Sequence, residues 1–331
     1  MTPPEALTIW CNLTLPEAPR AALMAGLGRH RLAWATNLAP LNMFTGKPDP
    51  ALAEADIAFG QPEGSQCAEL PRLHWVHLSS AGYTPFDTPT IKGALTGRHA
   101  ALSTSSGVFA EPCAQHVLAV ILTQARQLPR AFENQHGAHG WPKKIMREGA
   151  RLLHGQNVLL VGMGTIGARL AELLAPFGMK VTGVRRRAPA GGTVVAGTTV
   201  VPVSAIDDHL PGADYVIDLL PGSADSEHFF DAARFAAMKP GAIFVNIGRG
   251  TTVDQDALVA ALTSGHVAAA FLDVTTPEPL PPDHALWTAP GCVITPHSAG
   301  GHSDQPDRLV AHFLANLARY DRGAPLLDRV V

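Results

Sequence analysis

Short runs of apolar, often β-branched residues alternate along the chain with stretches whose apolar positions recur every three or four residues. The first pattern is that of buried strands, the second that of amphipathic helices. In the first hundred residues, strands are expected at Leu7–Cys11, Leu32–Ala35, Ala55–Phe59, Leu73–Leu78 and Ala100–Ser103, with a helix over Glu17–Leu27 ended by Gly28. Such alternation predicts a small parallel α/β sheet. The character changes near Thr104–Gly107. A long helix is expected from Glu111 to about Gln127, with Pro112 in its first turn. The stretch that follows, through Trp141 and Pro142 to Arg147, reads as an irregular polar segment: an arm, a lid or a subunit contact.

From Asn157 the alternation becomes regular. Strands are expected at Asn157–Val161, Lys180–Val184, Tyr215–Leu220, Ala242–Ile247, Ala268–Val274 and Cys292–Thr295. A run at Val200–Val203 is weaker, because Pro202 cannot donate to a sheet ladder. Helices are expected after the first of these strands, over Asp254–Ser264 before Gly265, and over Asp307–Arg319 with Leu309, Phe313 and Leu317 on one side. The series describes one doubly wound parallel sheet of Rossmann type. The fold class expected for the chain is therefore α/β, this sheet plus a smaller flavodoxin-like α/β domain.

The first strand of the series runs into Gly162-Met163-Gly164-Thr165-Ile166-Gly167. Strand, G-x-G-x-x-G turn and helix together form the dinucleotide-binding pattern. The first glycine allows the tight turn, the second lets backbone approach a pyrophosphate, and the third lets helix pack on strand. The helix N-terminus offers N–H groups and partial positive charge to the phosphates. A ligand-free glycine turn would look similar, so the pattern by itself names no reaction.

Ligands of open α/β sheets bind at the carboxyl ends of the strands. Arg249, Glu278 and His297 each follow a different expected strand by a few residues. Any one of them alone is an ordinary loop residue. Together, on the edge that also carries Gly162–Gly167, they make a guanidinium, a carboxylate and an imidazole beside a dinucleotide. That set suits hydride transfer at a carbon next to a carboxylate. His297 is the natural acid/base. Glu278 favours the imidazolium. Arg249 offers a planar fork to a substrate carboxylate and polarises its carbonyl.

Composition narrows the setting. A chain of 331 residues with 46% hydrophobic and 16% charged residues suggests two ordinary globular domains. A net charge of −3 points to neither nucleic acid nor an anionic membrane as partner. Cys11, Cys67, Cys113 and Cys292 are scattered in apolar contexts, as expected of free thiols in a reducing cytoplasm. No secretory signal is read at the N-terminus, and no window is read as a membrane span. The histidine pairs His74/His77 and His136/His139 fall in a strand-like and a glycine-rich run, so no metal site is expected.

The motifs Val161–Gly167, Met238–Ala242, Asn246-Ile-Gly-Arg-Gly250, Leu272-Asp-Val274 with Glu278-Pro-Leu-Pro281, and Thr295-Pro-His-Ser-Ala-Gly300 resemble, in order and spacing, those of the D-isomer-specific 2-hydroxyacid dehydrogenase family. The resemblance covers most of the chain. It implies substrate binding by Arg249 and acid/base work by His297 with Glu278. It implies a cofactor site of Gly162–Gly167 with Arg185, Arg186, Leu220, Pro221, Ile247, Gly248 and Asp273. Ala81, Gly82 and Tyr83 resemble the family's substrate-carboxylate loop, and Trp287 and the loop Leu41–Thr45 are expected to shape the pocket. The implied domains are 1–104 completed by 299–331 for substrate, and 105–298 for dinucleotide. A homodimer through the Glu111 helix and its arm is implied as well.

The sequence departs from the family pattern where the second strand of the cofactor domain ends. Many members carry Asp there for the ribose of NAD; this chain carries Arg185, followed by Arg186 and Arg187. Arginines there suit a 2′-phosphate, so NADP(H) is expected over NAD(H). Ala114-Gln115-His116 stands for the usual Ala-Glu-His, and Ala285 for the usual Pro. With the Gly-Arg-Gly form of the arginine motif, the chain is similar to glyoxylate and hydroxypyruvate reductases, which predicts reduction of a small 2-oxo acid. The competing readings are a formate or phosphonate dehydrogenase, a dinucleotide-sensing corepressor-like protein and a lapsed enzyme. Glu278, where formate dehydrogenases carry Gln, argues against the first, and the intact Arg249, Glu278 and His297 against the last.

Overall fold

The computed structural model describes residues 6–41, 46–188, 192–195 and 197–331. The loop Leu41–Thr45, expected to shape the pocket, lies outside them apart from Leu41. The chain divides into two compact units, Met1–Phe109 with Gly301–Val331, and Ala110–Gly300.

The first unit carries β1 (Thr8–Leu13), α1 (Glu17–Gly26), β2 (Arg31–Ala39), β3 (Ile57–Gly60), α2 (Gly64–Glu69), β4 (Trp75–Leu78), α3 (Pro89–Gly97) and β5 (Ala101–Ser103). Its strands are all parallel, in the order β2-β1-β3-β4-β5, the flavodoxin-like order. Every residue of β3 and β4 is buried, as parallel strands covered on both faces require. That is why these strands read as continuous apolar runs.

Next comes α4 (Ser106–Ala125), within which the division into units falls. It starts earlier than its apolar periodicity predicts, so Pro112 sits inside the helix instead of in its first turn. There it removes one backbone N–H from the ladder. By length and composition α4 is also long and apolar enough to cross a membrane, where the sequence predicts no span. Its side chains Cys113, Ala114, Val117 and Ile121 are buried within the protein, as in a core helix. The expected irregular arm contains two short helices, α5 (Leu128–His136) and α6 (Lys143–Gly149).

The second unit continues with β6 (Asn157–Val161), α7 (Thr165–Leu174), β7 (Lys180–Arg185), β8 (Thr193–Val195), β9 (Thr198–Pro202), α8 (Ile206–His209), β10 (Tyr215–Asp218), α9 (Ala232–Ala237), β11 (Ala242–Asn246), α10 (Gln255–Thr263), β12 (Val267–Leu272) and β13 (Cys292–Ile294). The sheet order is β13-β12-β11-β10-β6-β7-β9-β8, parallel except for β8. Between β9 and β12 this is the doubly wound order, reversing direction between β6 and β10. The doubtful strand at Val200 is real as β9, with Pro202 as its last residue. The antiparallel β8 had no signal of its own: three residues held by pairing to β9.

The last helix, α11 (Gln305–Asp321), belongs to the first unit. Its apolar side, Val310, Phe313 and Leu317, packs with Ile9, Phe59 and Trp75. Phe313 stacks on Phe59 at a centroid distance of 4.1 Å. The C-terminal tail follows it back to the sheet, where Val330 N–H donates to Leu102 O at 2.7 Å.

In the second unit, Phe244 at the centre of β11 meets Phe230 and Phe235 edge-on at 4.9 and 5.2 Å. All three are essentially inaccessible to solvent. Phe244→Ala is expected to lower unfolding stability by about 3–5 kcal/mol, through lost burial plus an unfilled cavity. Urea unfolding would show this as a lower midpoint; an unchanged midpoint would mean that the aromatic cluster is not holding the unit together.

Candidate active site

The register of the sheet assembles the site. Val161, Asp218, Asn246, Leu272 and Ile294 are consecutive cross-strand partners at the ends of β6, β10, β11, β12 and β13. Every loop that follows these residues therefore leaves the sheet at one edge. The glycine turn, the Leu219–Pro221 stretch, the Arg249 turn, the Glu278 loop and the His297 turn are those loops.

The glycine turn has the geometry its spacing predicts. Gly162 adopts φ +110°, and a Cβ there would lie 2.9 Å from the Leu219 carbonyl. A Cβ on Gly167 would lie 3.1 Å from Gly162 O, so helix and turn are in close contact. A Cβ on Gly164 would meet no protein atom within 4 Å, leaving that backbone open to a ligand. The first i→i−4 bond of α7 runs from Ala168 to Gly164. The N–H groups of Thr165, Ile166 and Gly167 precede it, without intrahelical acceptors. An open backbone cradle at a helix N-terminus fits a pyrophosphate. Met163 contributes differently: its side chain is buried against Gly183, and its N–H donates to Val184 O at 2.8 Å. Arg185 ends β7 and is exposed, as are Arg186 and Arg187. Arg186 faces Asp225 at 3.3 Å, an exposed pair of small energetic value.

Arg249 stands on a turn built from buried groups. Asn246 accepts from Gly248 N–H at 2.8 Å and donates to Arg249 O at 2.9 Å. A Cβ on Gly248 would come within 2.5 Å of Leu220 O, so only glycine lets the arginine turn lie against the Leu219–Leu220 backbone. Burial lowers the guanidinium pKa, and Glu278 and Cys113 oppose that shift. Arginine remains charged throughout.

His297 and Glu278 are brought together from loops after β13 and β12. His297 Nδ1 lies 2.8 Å from Glu278 Oε2, and Thr275 N–H donates to the other carboxylate oxygen at 3.1 Å. Burial by itself would raise the Glu278 pKa. The hydrogen bond and charge of His297, the Thr275 N–H and the charge of Arg249 outweigh it, and the net shift is downward. Glu278 therefore stays ionised above the ordinary carboxylate range, and its pairing is lost only as pH falls through the lowered value. His297 has φ +50°, an uncommon backbone for a residue with a Cβ. Its N–H donates to Asp273 O at 2.8 Å. The Asp273 carboxylate accepts from Thr295 Oγ1 at 2.6 Å and from Ser298 and Ala299 N–H at 2.8 and 2.9 Å. Asp273, expected among the cofactor residues, is thus buried and bonded to the histidine turn.

A cavity of about 500 Å³ opens beside this pair, lined by Asp273, Thr275, Glu278, Leu280, Trp287 and His297. Trp287 is half-exposed there, held by its Nε1 on Pro281 O at 2.9 Å. Cys113, from α4, is a neighbour the sequence did not indicate. Burial pushes its thiol up to about 12, Asp273 adds to the shift and Arg249 opposes it. Nothing in a single apolar cysteine far along the chain from Arg249 signals that placement.

The loop Ser79–Tyr83 belongs to the other unit, at the end of β4. Ser80 Oγ donates to Gly82 O at 2.6 Å and accepts from Gln61 Nε2 at 3.0 Å. Gln61 is fixed in turn by Asn12, whose amide bonds its N–H and its carbonyl at 2.9 and 2.8 Å. Tyr83 lies under Lys92, with 5.7 Å from Nζ to its ring centre. His77, buried beneath, bonds Ser103 Oγ at 2.8 Å. Asn12 and Gln61 carry no recognisable motif, and only the folded unit brings Gln61 to Ser79 and Ser80.

Comparison with known proteins decides the family. The model of the D-isomer specific 2-hydroxyacid dehydrogenase NAD binding domain matches residues 118–299. The chain belongs to that family. Its members are NAD(P)-dependent oxidoreductases, and so is this chain. Among curated relatives, glyoxylate/hydroxypyruvate reductase B of Citrobacter koseri is 34% identical over 274 residues, 81% of this chain and 82% of that protein. The protein of the same name from Escherichia coli is 34% identical over 249 residues, 74% of this chain and 75% of its own length. Among solved structures, a D-isomer specific 2-hydroxyacid dehydrogenase from Xanthobacter autotrophicus in complex with NADPH and MES has a TM-score of 0.79 and 27% identity, covering 99% of this chain and 98% of its own. An NADPH-dependent glyoxylate/hydroxypyruvate reductase from Sinorhizobium meliloti in complex with NADP and sulfate has a TM-score of 0.75 and 25% identity, with 98% of each chain covered.

Because Gly162 has both positive φ and backbone in contact, Gly162→Ala is expected to weaken nicotinamide dinucleotide binding by about tenfold or more. Titration of NADPH fluorescence measures this directly. An unchanged Kd would mean that the glycine turn does not carry the dinucleotide.

Proposed function

We propose that the protein reduces a small 2-oxo acid, of the glyoxylate or hydroxypyruvate kind, to the corresponding D-2-hydroxy acid, with NADPH as reductant and NADH as the alternative. The observation that carries the reading is the His297–Glu278 contact of 2.8 Å beside a cavity at the dinucleotide edge of the sheet. The names of the relatives above and the NADPH or NADP in two structural neighbours support the substrate and cofactor class.

In this reading Gly162–Gly167, Leu220, Pro221, Ile247 and Gly248 hold the cofactor. Arg185, with Arg186, takes the 2′-phosphate from the end of β7. When bound, the reduced nicotinamide cofactor would supply the hydride for the carbonyl carbon. Arg249 binds the substrate carboxylate and polarises the carbonyl, and in the first unit the N–H groups of Ala81, Gly82 and Tyr83 are the carboxylate-binding donors that the family resemblance implies. Protonated His297 gives its proton to the carbonyl oxygen from Nε2 as charge develops there, and is left neutral. Glu278, on Nδ1, orients the ring and stabilises its protonated form. Trp287 and Leu280 bound the side-chain end of the pocket. Residues 1–104 with 299–331 then serve as the substrate domain and 105–298 as the dinucleotide domain. The same reading makes the protein a cytoplasmic homodimer. An apolar groove between α4 and the β11–β13 strands, lined by His116, Val120, Val245, Phe271 and Val293, supports self-association. The four cysteines, all free thiols, suit a reducing compartment.

Initial rates over a panel of 2-oxo acids with NADPH and NADH test the reading. Turnover of glyoxylate or hydroxypyruvate with NADPH preferred is expected; no turnover of any member would overturn it. Arg185→Asp is expected to lower the NADPH preference by about tenfold or more, roughly the value of a charge-assisted pair. Unaltered cofactor selectivity would show the arginine run to be plain surface.

Glu278→Gln keeps the shape of the histidine's partner but removes its charge. The reduction rate at neutral pH is expected to fall by about 10²-fold, within the usual range of acid–base contributions. A reduction rate at neutral pH identical to wild type would refute the assigned role of Glu278.

A further inference from the structure

Asp218 is a carboxyl that this mechanism does not use. It ends β10, between Val161 of β6 and Asn246 of β11, and is fully buried. Oδ1 accepts from Leu220 N–H at 2.9 Å, and Oδ2 meets Thr252 Oγ1 in a short hydrogen bond. Thr252, also fully buried, lies with the same Oγ1 2.6 Å from Arg249 O. The Asp218 backbone takes part too, accepting from Ile247 N–H at 3.2 Å. One side chain thus touches the Leu220 backbone of the cofactor floor and, through a single hydroxyl, the carbonyl of the residue that carries the guanidinium.

We propose that Asp218 is a positioning residue for the arginine turn, holding Thr252 and through it the Arg249 carbonyl, and so setting the direction in which the guanidinium leaves the turn. The proposal rests on the reading that Arg249 binds the substrate carboxylate.

The bonding pattern suits a neutral Asp218. Thr252 Oγ1 has one proton and lies on two oxygens that accept, Asp218 Oδ2 and Arg249 O. An ionised Asp218 would take that proton and leave the Arg249 carbonyl to the Asn246 amide at 2.9 Å and the Thr252 N–H at 3.2 Å. A neutral Asp218 donates to Thr252, which then donates to Arg249 O, so that the one hydroxyl serves both contacts at once. Burial pushes this carboxyl up to about 7, against the pull of the Thr252 and Leu220 hydrogen bonds, and no charged side chain contributes. The groups that face it, Val161, Asn246, Thr252 and the Leu220 N–H, do not titrate. Arg249 is linked to it through its own carbonyl by way of Thr252.

The neutral acid has a close mimic in asparagine: Oδ1 still accepts from Leu220, and Nδ2 donates to Thr252 as the acid proton does. The experiment is steady-state kinetics with glyoxylate and NADPH at pH 6.5 on Thr252→Val, Thr252→Ser and Asp218→Asn, with Arg249→Ala as reference. Thr252→Val, which keeps shape and loses the relay, should raise KM for glyoxylate by about tenfold while KM for NADPH stays within about twofold, because one hydrogen bond to the turn is lost. Thr252→Ser should restore it, and Asp218→Asn should stay within about threefold of wild type. If Arg249→Ala raises the glyoxylate KM and Thr252→Val does not, the positioning role is overturned. If Arg249→Ala leaves that KM unchanged, the reading of Arg249 fails, and the proposal with it.

Thermal melts give a readout independent of catalysis. Asp218 binds its proton more tightly in the folded than in the unfolded chain. Wild type should therefore lose stability relative to Asp218→Asn as pH rises from about 4, the unfolded value, to about 7, and lose no more above that. A difference between the two proteins that is flat over this window, or an Asp218→Asn enzyme as impaired for glyoxylate as Thr252→Val, would overturn the neutral relay.

Discussion

The parallel ladder of the second unit is the constraint on which the rest depends. Hydrogen bonding between neighbouring strands fixes their register, and here it aligns Val161, Asp218, Asn246, Leu272 and Ile294 across five strands. In a one-residue slip, buried side chains would turn to the wrong face and the strand ends would no longer meet. Because the register holds, loops distant in sequence share one edge. The imidazole, the carboxylate, the guanidinium and the glycine turn meet there without any of them being a sequence neighbour of another.

Buried polar groups convert that coarse alignment into geometry. Asp273 gathers three donors from the histidine turn. Asn246 closes the arginine turn on itself. In the first unit, Asn12 and Gln61 fix the loop at Ser80 by the same means. A buried polar side chain must find partners or destabilise the fold. Asn246 finds its partners in the backbone of the arginine turn, Asp273 in two backbone N–H groups and one hydroxyl of the histidine turn, and Gln61 in the hydroxyls of Ser79 and Ser80. Glycine does the complementary work at Gly162 and Gly248, where backbone approaches so closely that no Cβ fits.

Much of this was legible in the chain. Parallel strands covered on both faces appear as unbroken apolar runs, so β3, β4, β6, β10 and β11 could be read within a residue or two. The glycine spacing marks a turn whose steric demands are local. Other elements left weaker traces. The start of α4 was misread because its first turn, Ser106–Phe109, lacks the periodicity that follows, and Pro112 looks like a helix start. The edge strand β8 and the helices α5 and α6 are short and partly exposed, and little apolar pattern is needed to hold them.

The sequence by itself determined the two kinds of sheet, the dinucleotide turn and the residues Arg249, Glu278 and His297 as a set, because strand periodicity, glycine conformation and the position of a residue after a strand are properties of short segments. The tertiary structure alone decided that His297 pairs with Glu278 at 2.8 Å, that Asp273 is bonded to the histidine turn, that Cys113 neighbours Arg249, and that Asp218 and Thr252 lie under the arginine turn. These are contacts between residues far apart in the chain. Their distances and their burial, and hence their protonation, exist only once the strands have paired and water has been excluded.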